Sequence, residues 1–315
     1  MLSRVANSIY WINRYIERVE NYARLIQVNQ NMILDLPTGI VGQWQPLIMT
    51  TGDNDLFVKE YGDIYSRKNV INFLAADLNN QNSILSSITT ARENARSVRE
   101  IISNEMWMQI NEMYLSIKDA MSHEYWTDIN LEDFLLEIIK GCHTFWGTME
   151  ATFTHSEGWY FGFLGKCLER ADKTARILDM KFYYLLPSPK YIGTPLDMLQ
   201  WSSMLRSAGA FEMYKQKYSA LNISNVIEFL VLNRQFPRSV HYCMVKAETT
   251  VHKINGSESF TFATTSEKLL GRLRSKLDFT EIDDILKSGL HEYLIGIEKK
   301  LARIDKAIGK SFAFD

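Results

Sequence analysis

Apolar residues recur along this chain with a helical period rather than by alternation. In residues 3–35, Val5, Ile9, Ile12, Ile16, Val19 and Ala23 fall on one narrow stripe at 100° per residue, which predicts a long amphipathic helix ended by Pro37 and Gly39. Shorter helical segments are predicted at about 43–51, 56–62 and 67–77, with Gly52-Asp53-Asn54-Asp55 as a turn. Asn79-Asn80-Gln81-Asn82 breaks the pattern, and Ser83 is placed to cap a helix running to about Ser103. The stretches 105–121 and 129–153 continue the pattern, the second carrying Gly141 and Gly147 as weak points or close-packing positions. Thr154 and Glu157 have capping-box spacing ahead of a helix over about 157–186, stopped by Pro187-Ser188-Pro189. Segments near 196–208, 210–217, 222–232, 239–254, 264–276 and 280–309 complete the chain. Only Ser259–Thr264 reads as extended, and it is short and isolated. The fold class is all-α.

The pattern repeats. Residues 16–26 place Glu17, Arg18, Glu20, Ala23 and Arg24 where residues 168–178 place Glu169, Arg170, Asp172, Ala175 and Arg176, an offset of 152. Downstream, Phe73-Leu74 precedes Ser83-Ile84 as Phe229-Leu230 precedes Ser239-Val240, an offset of 156. Two matches at nearly one offset predict a duplicated helical bundle with approximate internal two-fold symmetry. Its long Glu-Arg helices would meet near the centre. Two copies are too few for a solenoid. One domain over 1–315 is expected, with halves of about 1–153 and 154–315.

Three segments carry a family resemblance. They are Tyr10 through Arg24, Ala91 through Arg99, and Thr154 through Ala171 with its His155, Gly158-Trp159 and Glu169-Arg170. Together they resemble the bacterial Alpha-E family, an α-helical domain named for a Glu-Arg motif, over about residues 3–310. The resemblance implies a setting beside ATP-grasp amidoligase-like proteins and transglutaminase-like peptidases, and so a role in making or modifying a peptide. It implies no mechanism.

Composition narrows the classes. A net charge of −2 supplies no broad basic field, so neither nucleic acid nor a membrane is an expected partner. No run of about 18 apolar residues exists to span a bilayer, and the first residues lack the apolar core of a signal peptide. Cys142, Cys167 and Cys243 form no C-x-x-C pair and read as buried thiols in a reducing compartment, which points to the cytoplasm. Motifs for nucleotide hydrolysis, serine hydrolysis and dinucleotide binding are missing, and no cofactor is expected.

Candidate chemistry lies in four places. Arg14, Glu17, Arg18, Asn21 and Arg24 share one helix face, and Lys166, Glu169, Arg170, Lys173 and Arg176 repeat the layout. Glu20→Arg24 and Asp172→Arg176 are acid-first i,i+4 pairs. These residues admit three readings: a buried ion-pair network, a ligand or active site, or a solvated face whose pairs contribute only about 0.3–0.5 kcal/mol each. Arg92, Arg96 and Arg99 form a basic row whose counterparts, Glu248, His252 and Asn255, are not arginines. The row is an exposed stripe, or it takes its counter-charge from Glu17, Glu20, Glu169 and Asp172, or it holds a phosphate or carboxylate ligand. His155, with Glu157, is a cap neighbour or a general base at a helix N-terminus. His241, Glu248 and His252 share a helix face but cannot close a tetrahedral metal site from one helix. Three functions follow. The first is a non-catalytic accessory component presenting an arginine- and carboxylate-lined cleft to a ligase or its peptide. The second is an enzyme using Glu17, Glu169 or His155 for acid/base work, with the arginines holding an anionic peptide. The third is a structural assembly protein.

Overall fold

The computed structural model describes residues 1–37, 42–122, 131–184, 186, 189–258 and 261–314. Its elements are α1 (Ser3–Leu34), α2 (Gln45–Thr51), α3 (Asn54–Tyr61), α4 (Arg67–Ala75), α5 (Ile84–Ser97), α6 (Asn104–Met121), α7 (Leu131–Thr152), α8 (Glu157–Tyr183), a 3-10 turn at Pro189–Tyr191, α9 (Pro195–Ser207), α10 (Phe211–Lys217), α11 (Ile223–Val231), α12 (Val240–Asn255), α13 (Thr265–Phe279), α14 (Ile282–Ser288) and α15 (Leu290–Phe312). Among the described residues no strand forms. The fold is all-α, as the period of the apolar positions predicts.

Local chemistry sets most boundaries. Ser66, Ser83, Ser103, Asn222 and Ser239 each accept a backbone N–H with the side chain and start α4, α5, α6, α11 and α12. Gly52 and Gly256, at φ of +80° and +64°, end α2 and α12 in the left-handed region. Three expectations are corrected. The helix begun at Ser83 stops at Ser97 rather than near Ser103, because Val98 leaves helical geometry and Ser103 caps the next helix. The stretch 280–309 is two helices, split where Gly289 adopts φ +82°. No capping box starts α8: its cap position is Ser156, and Glu157 instead accepts the Met1 ammonium at 2.7 Å. A reciprocal box does form at Thr264 and Glu267. Gly39, 129–130, Pro187-Ser188 and Ser259-Phe260 lie outside the described residues. Thr261–Ala263 form no regular element.

The long helices pack in two rings. α1, α5, α6 and α7 form one ring, each against the next, and α8, α12, α13 and α15 form the other. The rings share the α1–α8 seam. These two helices run parallel: Met1 meets Glu157, Tyr10 meets Gly165, Arg18 meets Glu169 and Asn29 meets Tyr184. Short helices cross over, with α2 lying on α8 and α9 on α1. As a result α1 is buried on nearly every side. Its apolar stripe and its polar residues Asn13, Glu17, Glu20 and Asn21 are all removed from solvent.

Close approach at the seam depends on glycine. A Cβ on Gly165 would lie 2.4 Å from the Tyr10 carbonyl oxygen, and one on Gly162 would lie 2.6 Å from Asn13 Nδ2. Gly141 makes a milder contact of 3.1 Å with the Met113 side chain, while Gly147 faces open space.

Candidate functional site

Parallel packing brings the two Glu-Arg pairs face to face. Glu17 accepts both arms of Arg170, from Nε at 2.9 Å and Nη2 at 2.7 Å. Glu169 accepts both arms of Arg18, from Nε at 2.7 Å and Nη2 at 3.1 Å. Both carboxylates are fully buried. Two parallel bonds in a planar fork fix the register of the helices as well as their charge balance.

Further cations complete the network. Arg14 donates from Nε to Glu169 at 2.8 Å and from Nη1 to Asp305 at 2.5 Å. Arg238 donates to Glu17 at 2.9 Å and to Glu20 at 2.5 Å. Arg24 reaches Glu20 at 2.7 Å, and His143 Nε2 lies 3.0 Å from the same oxygen. Arg176 and Lys173 hold Asp172 at 2.9 and 3.3 Å, and Arg176 also reaches Glu298 at 3.3 Å. Burial by itself would raise the carboxyl pKa values. For Glu17 the guanidinium groups of Arg170 and Arg238 outweigh it and lower the pKa. Against the same burial, Arg238, His143 and Arg24 hold Glu20 well below the usual range. Arg18, Lys173 and Arg14 do so for Glu169. These carboxylates are ionised, paired and dry, which is the buried-network reading of the stripe and not the solvated one.

The arginine row lies elsewhere. The buried face of α5 (Ile84, Ser87, Ile88, Ala91, Ala95) turns toward the core, which sends the arginines toward α6 and solvent. Arg92 donates to Asn111 at 2.7 Å and stacks 4.7 Å from the Tyr114 ring centroid. Arg96 is exposed and pairs with Glu93 at 2.5 Å. Arg99 lies past the end of α5, with its guanidinium 4.8 Å from the Trp107 centroid. None of the three meets Glu17, Glu20, Glu169 or Asp172, so the expected counter-charges are not theirs. Glu93 supplies the counter-charge to Arg92 at 3.0 Å and to Arg96 at 2.5 Å, while the rings of Tyr114 and Trp107 face Arg92 and Arg99.

His155 is exposed, stacked on Trp159 at 4.3 Å and 3.6 Å from Glu150. It stands before the start of α8, about four turns from Glu169, so the acid/base candidates are not gathered in one place. His241, Glu248 and His252 go to separate partners: Asp278 at 2.9 Å, Arg274 at 2.6 Å and Ser257 at 2.8 Å. Among the described residues no group of three or more His, Cys, Asp or Glu is placed to hold a metal ion. The three thiols are free and buried. Burial pushes all three up, Cys167 to about 12.

Asp305, Glu298, Asn82, Arg238 and His143 join the network without having been singled out in the sequence analysis. Arg238 immediately precedes the capping Ser239, as Asn82 precedes Ser83. Asn82 plays the matching part by accepting from Arg18 Nη1 at 2.7 Å. The second repeat match therefore pointed at both. His143 had no signal, since its exposed position on α7 meets Glu20 only through the fold.

Beyond Arg24 the network opens to a cleft of about 680 Å³ between α1, α9 and α10. Arg24, Arg206, Asp35 and Glu212 supply its charge, and Val28, Met32, Leu199 and Phe211 part of its apolar wall. Arg24 Nε and Glu20 Oε2 are buried without a hydrogen-bond partner among the described residues.

The Glu-Arg dipeptide, used twice and exchanged between two helices, decides the family. A family model described as Alpha-E, "a predicted alpha-helical domain with a conserved ER motif", matches residues 1–313. The chain belongs to the Alpha-E family. Alpha-E relatives include "Uncharacterized protein Mb2597" of Mycobacterium bovis and "Uncharacterized protein MT2643" and "Uncharacterized protein Rv2567" of Mycobacterium tuberculosis. Each is 21% identical over 323 residues, covering 95% of this chain and 35% of the relative. The chain thus spans about a third of the length of the curated relatives it matches. No solved structure matches it. In this Alpha-E chain the physical content of the motif is reciprocal: each glutamate accepts the arginine that follows the other one. Among the described residues no helix is long and apolar enough to cross a membrane.

Proposed function

We propose that this chain is a non-catalytic, accessory component of a peptide-synthesis or peptide-modification system. It would work beside ATP-grasp amidoligase-like and transglutaminase-like partners and present the Arg24 cleft to their peptide. The main support is the state of the central carboxylates. Glu17, Glu20 and Glu169 are held ionised by arginines in a dry seam, an arrangement suited to locking two helices and not to passing protons. The cleft adds a concave surface of a size that takes small ligands, with Arg24 and Arg206 in its lining. Relatives in which the matching segment occupies 35% of a longer chain support a module that works next to other units. The repeated offset and the two matching rings support descent of the two halves from one duplicated bundle.

The test has two arms. The purified chain is incubated with ATP and mixed peptides and the products are examined by mass spectrometry. No change in peptide mass is expected, and turnover by the isolated chain would overturn the accessory reading in favour of an enzyme. In parallel, the tagged chain is recovered from its own cells, with enrichment of a ligase-like or transglutaminase-like protein expected. Recovery of the chain alone under cross-linking would count against the reading.

A further inference from the structure

The arginine of the Arg24 cleft has a counterpart in the second half. Arg24 corresponds to Arg176 in the repeat, and the surroundings correspond too. Gly209, at φ +60°, lies 3.6 Å from the Arg24 guanidinium carbon through its built Cβ position, and Gly52, at φ +80°, lies 3.4 Å from Arg176 Nη1 in the same way. Arg176 borders a gap of about 10 Å³ with Tyr22 and Thr50, and its side chain is 26% exposed against 18% for Arg24. Arg176 spends its donors on Asp172 and Glu298. Arg24 gives Nη2 to Glu20 and keeps Nε without a partner among the described residues. The two arginines thus differ in how their donors are used.

The open cleft carries charge of both signs, with Glu212 next to the Phe211 that Arg206 covers and Asp35 at the far end of α1. Ser203 Oγ donates to Met32 Sδ at 3.3 Å and Gly209 lies by Arg24, so α9 runs antiparallel to α1 along the cleft. Arg24 and Arg206 stand toward one end, the Arg206 guanidinium 3.9 Å over the Phe211 ring. Asp35 caps the other end of α1, about three turns or roughly 16 Å from Arg24. Between them Gln27 and Asn31 project one turn apart, about 6 Å, from α1, and Ser202 lies across on α9. Asn31 also leans on Glu132 at 3.3 Å through Nδ2. A spacing near 6 Å matches the roughly 6.6–6.8 Å repeat of an extended backbone, whose amides need partners at every second residue.

We propose that this cleft binds the carboxyl-terminal end of an extended peptide of about five residues. The terminal carboxylate sits at Arg24 and Arg206, the backbone amides meet Gln27, Asn31 and Ser202, and a cationic group toward the amino end faces Asp35. Apolar side chains rest on Val28, Met32 and Leu199. A nucleoside triphosphate fits less well, because Asp35 and Glu212 offset the two arginines and would repel added phosphates. This assignment deepens the accessory reading and rests on it for the biological source of the peptide.

The test uses the full chain, immobilised, and a pool of pentapeptides with lysine at the first position and random residues at the three inner positions. Half of the pool carries a free carboxyl terminus and half an amidated one. Mass spectrometry should show at least about tenfold preferential retention of the free-acid form, the scale expected for a charge-assisted bidentate contact. Arg206 is exposed and makes no ion pair among the described residues, so Arg206→Glu should keep the melting temperature and abolish the preference. Arg206→Gln should weaken it without adding a charge. Equal retention of both forms overturns the proposal, as does a preference that survives Arg206→Glu. Retention of neither form also overturns it, while leaving the accessory role to stand or fall on partner recovery.

Discussion

Glu169 gathers three cations at the buried seam. Its carboxylate takes Arg18 through both oxygens, Arg14 through one, and has Lys173 at 3.6 Å. Glu169→Gln keeps the shape and removes the charge, leaving buried arginines under-compensated. A loss of about 3–5 kcal/mol in urea unfolding at pH 7 is expected. The pH dependence follows from the same pairs. The folded pKa values of Glu17, Glu20 and Glu169 lie below their unfolded values, so their stabilisation is complete above the ordinary carboxylate range. It is lost as pH falls through the depressed folded values. Urea midpoints should therefore drop from about pH 5 downward, and drop less steeply in Glu169→Gln. Lys166 has the opposite character. It is mostly buried, its Nζ lies 4.0 Å from the Trp146 centroid, and no carboxylate pairs with it among the described residues. Burial, and then Arg170, bring its pKa to about 8. Because the folded value lies below the unfolded one, its charged form opposes folding at low pH and stability rises as pH climbs past 8. Lys166→Met should raise the melting temperature at pH 7 and flatten that rise, which melts at pH 7 and pH 9 would show.

At the scale of the element, the seam and the caps carry the specificity. Gly165→Ala drives a methyl group into the Tyr10 carbonyl, and backbone cannot swing aside as a side chain can. We expect a loss of at least about 2 kcal/mol by thermal unfolding, with Gly147→Ala as a neutral or stabilising control because nothing lies near it. Ser83→Ala and Ser239→Ala should each cost about 1 kcal/mol. Most helices were legible because apolar period and cap residues act within a few positions. The exceptions have local geometric causes. The end of α5 at Val98 carries no glycine or proline, and the break at Gly289 depends on a positive φ that an amphipathic pattern running through it conceals. The Thr154–Glu157 spacing misled because the Met1 ammonium, distant in sequence, takes the glutamate.

At the scale of the molecule, the two rings are tied by charges that cross between them. Residues 1–153 and 154–315 made as separate chains would each leave half of every seam pair without a partner. Neither should show a cooperative thermal transition in far-ultraviolet circular dichroism, and the two made together should associate and recover it. Independent cooperative melting of either piece would show that the seam is dispensable. Read along the chain, the sequence by itself determined the all-α class, the approximate helices and the twice-used Glu-Arg stripe, because periodicity, capping and repetition are properties of neighbouring residues. Only the tertiary structure decided that α1 and α8 run parallel, that each glutamate takes the other's arginine, that Arg92 and Arg99 turn toward aromatic rings while Arg96 pairs with Glu93, and that a cleft opens beside Arg24. Those outcomes depend on which side chains meet across helices some 150 positions apart, and no pattern confined to one helix encodes its partner's position.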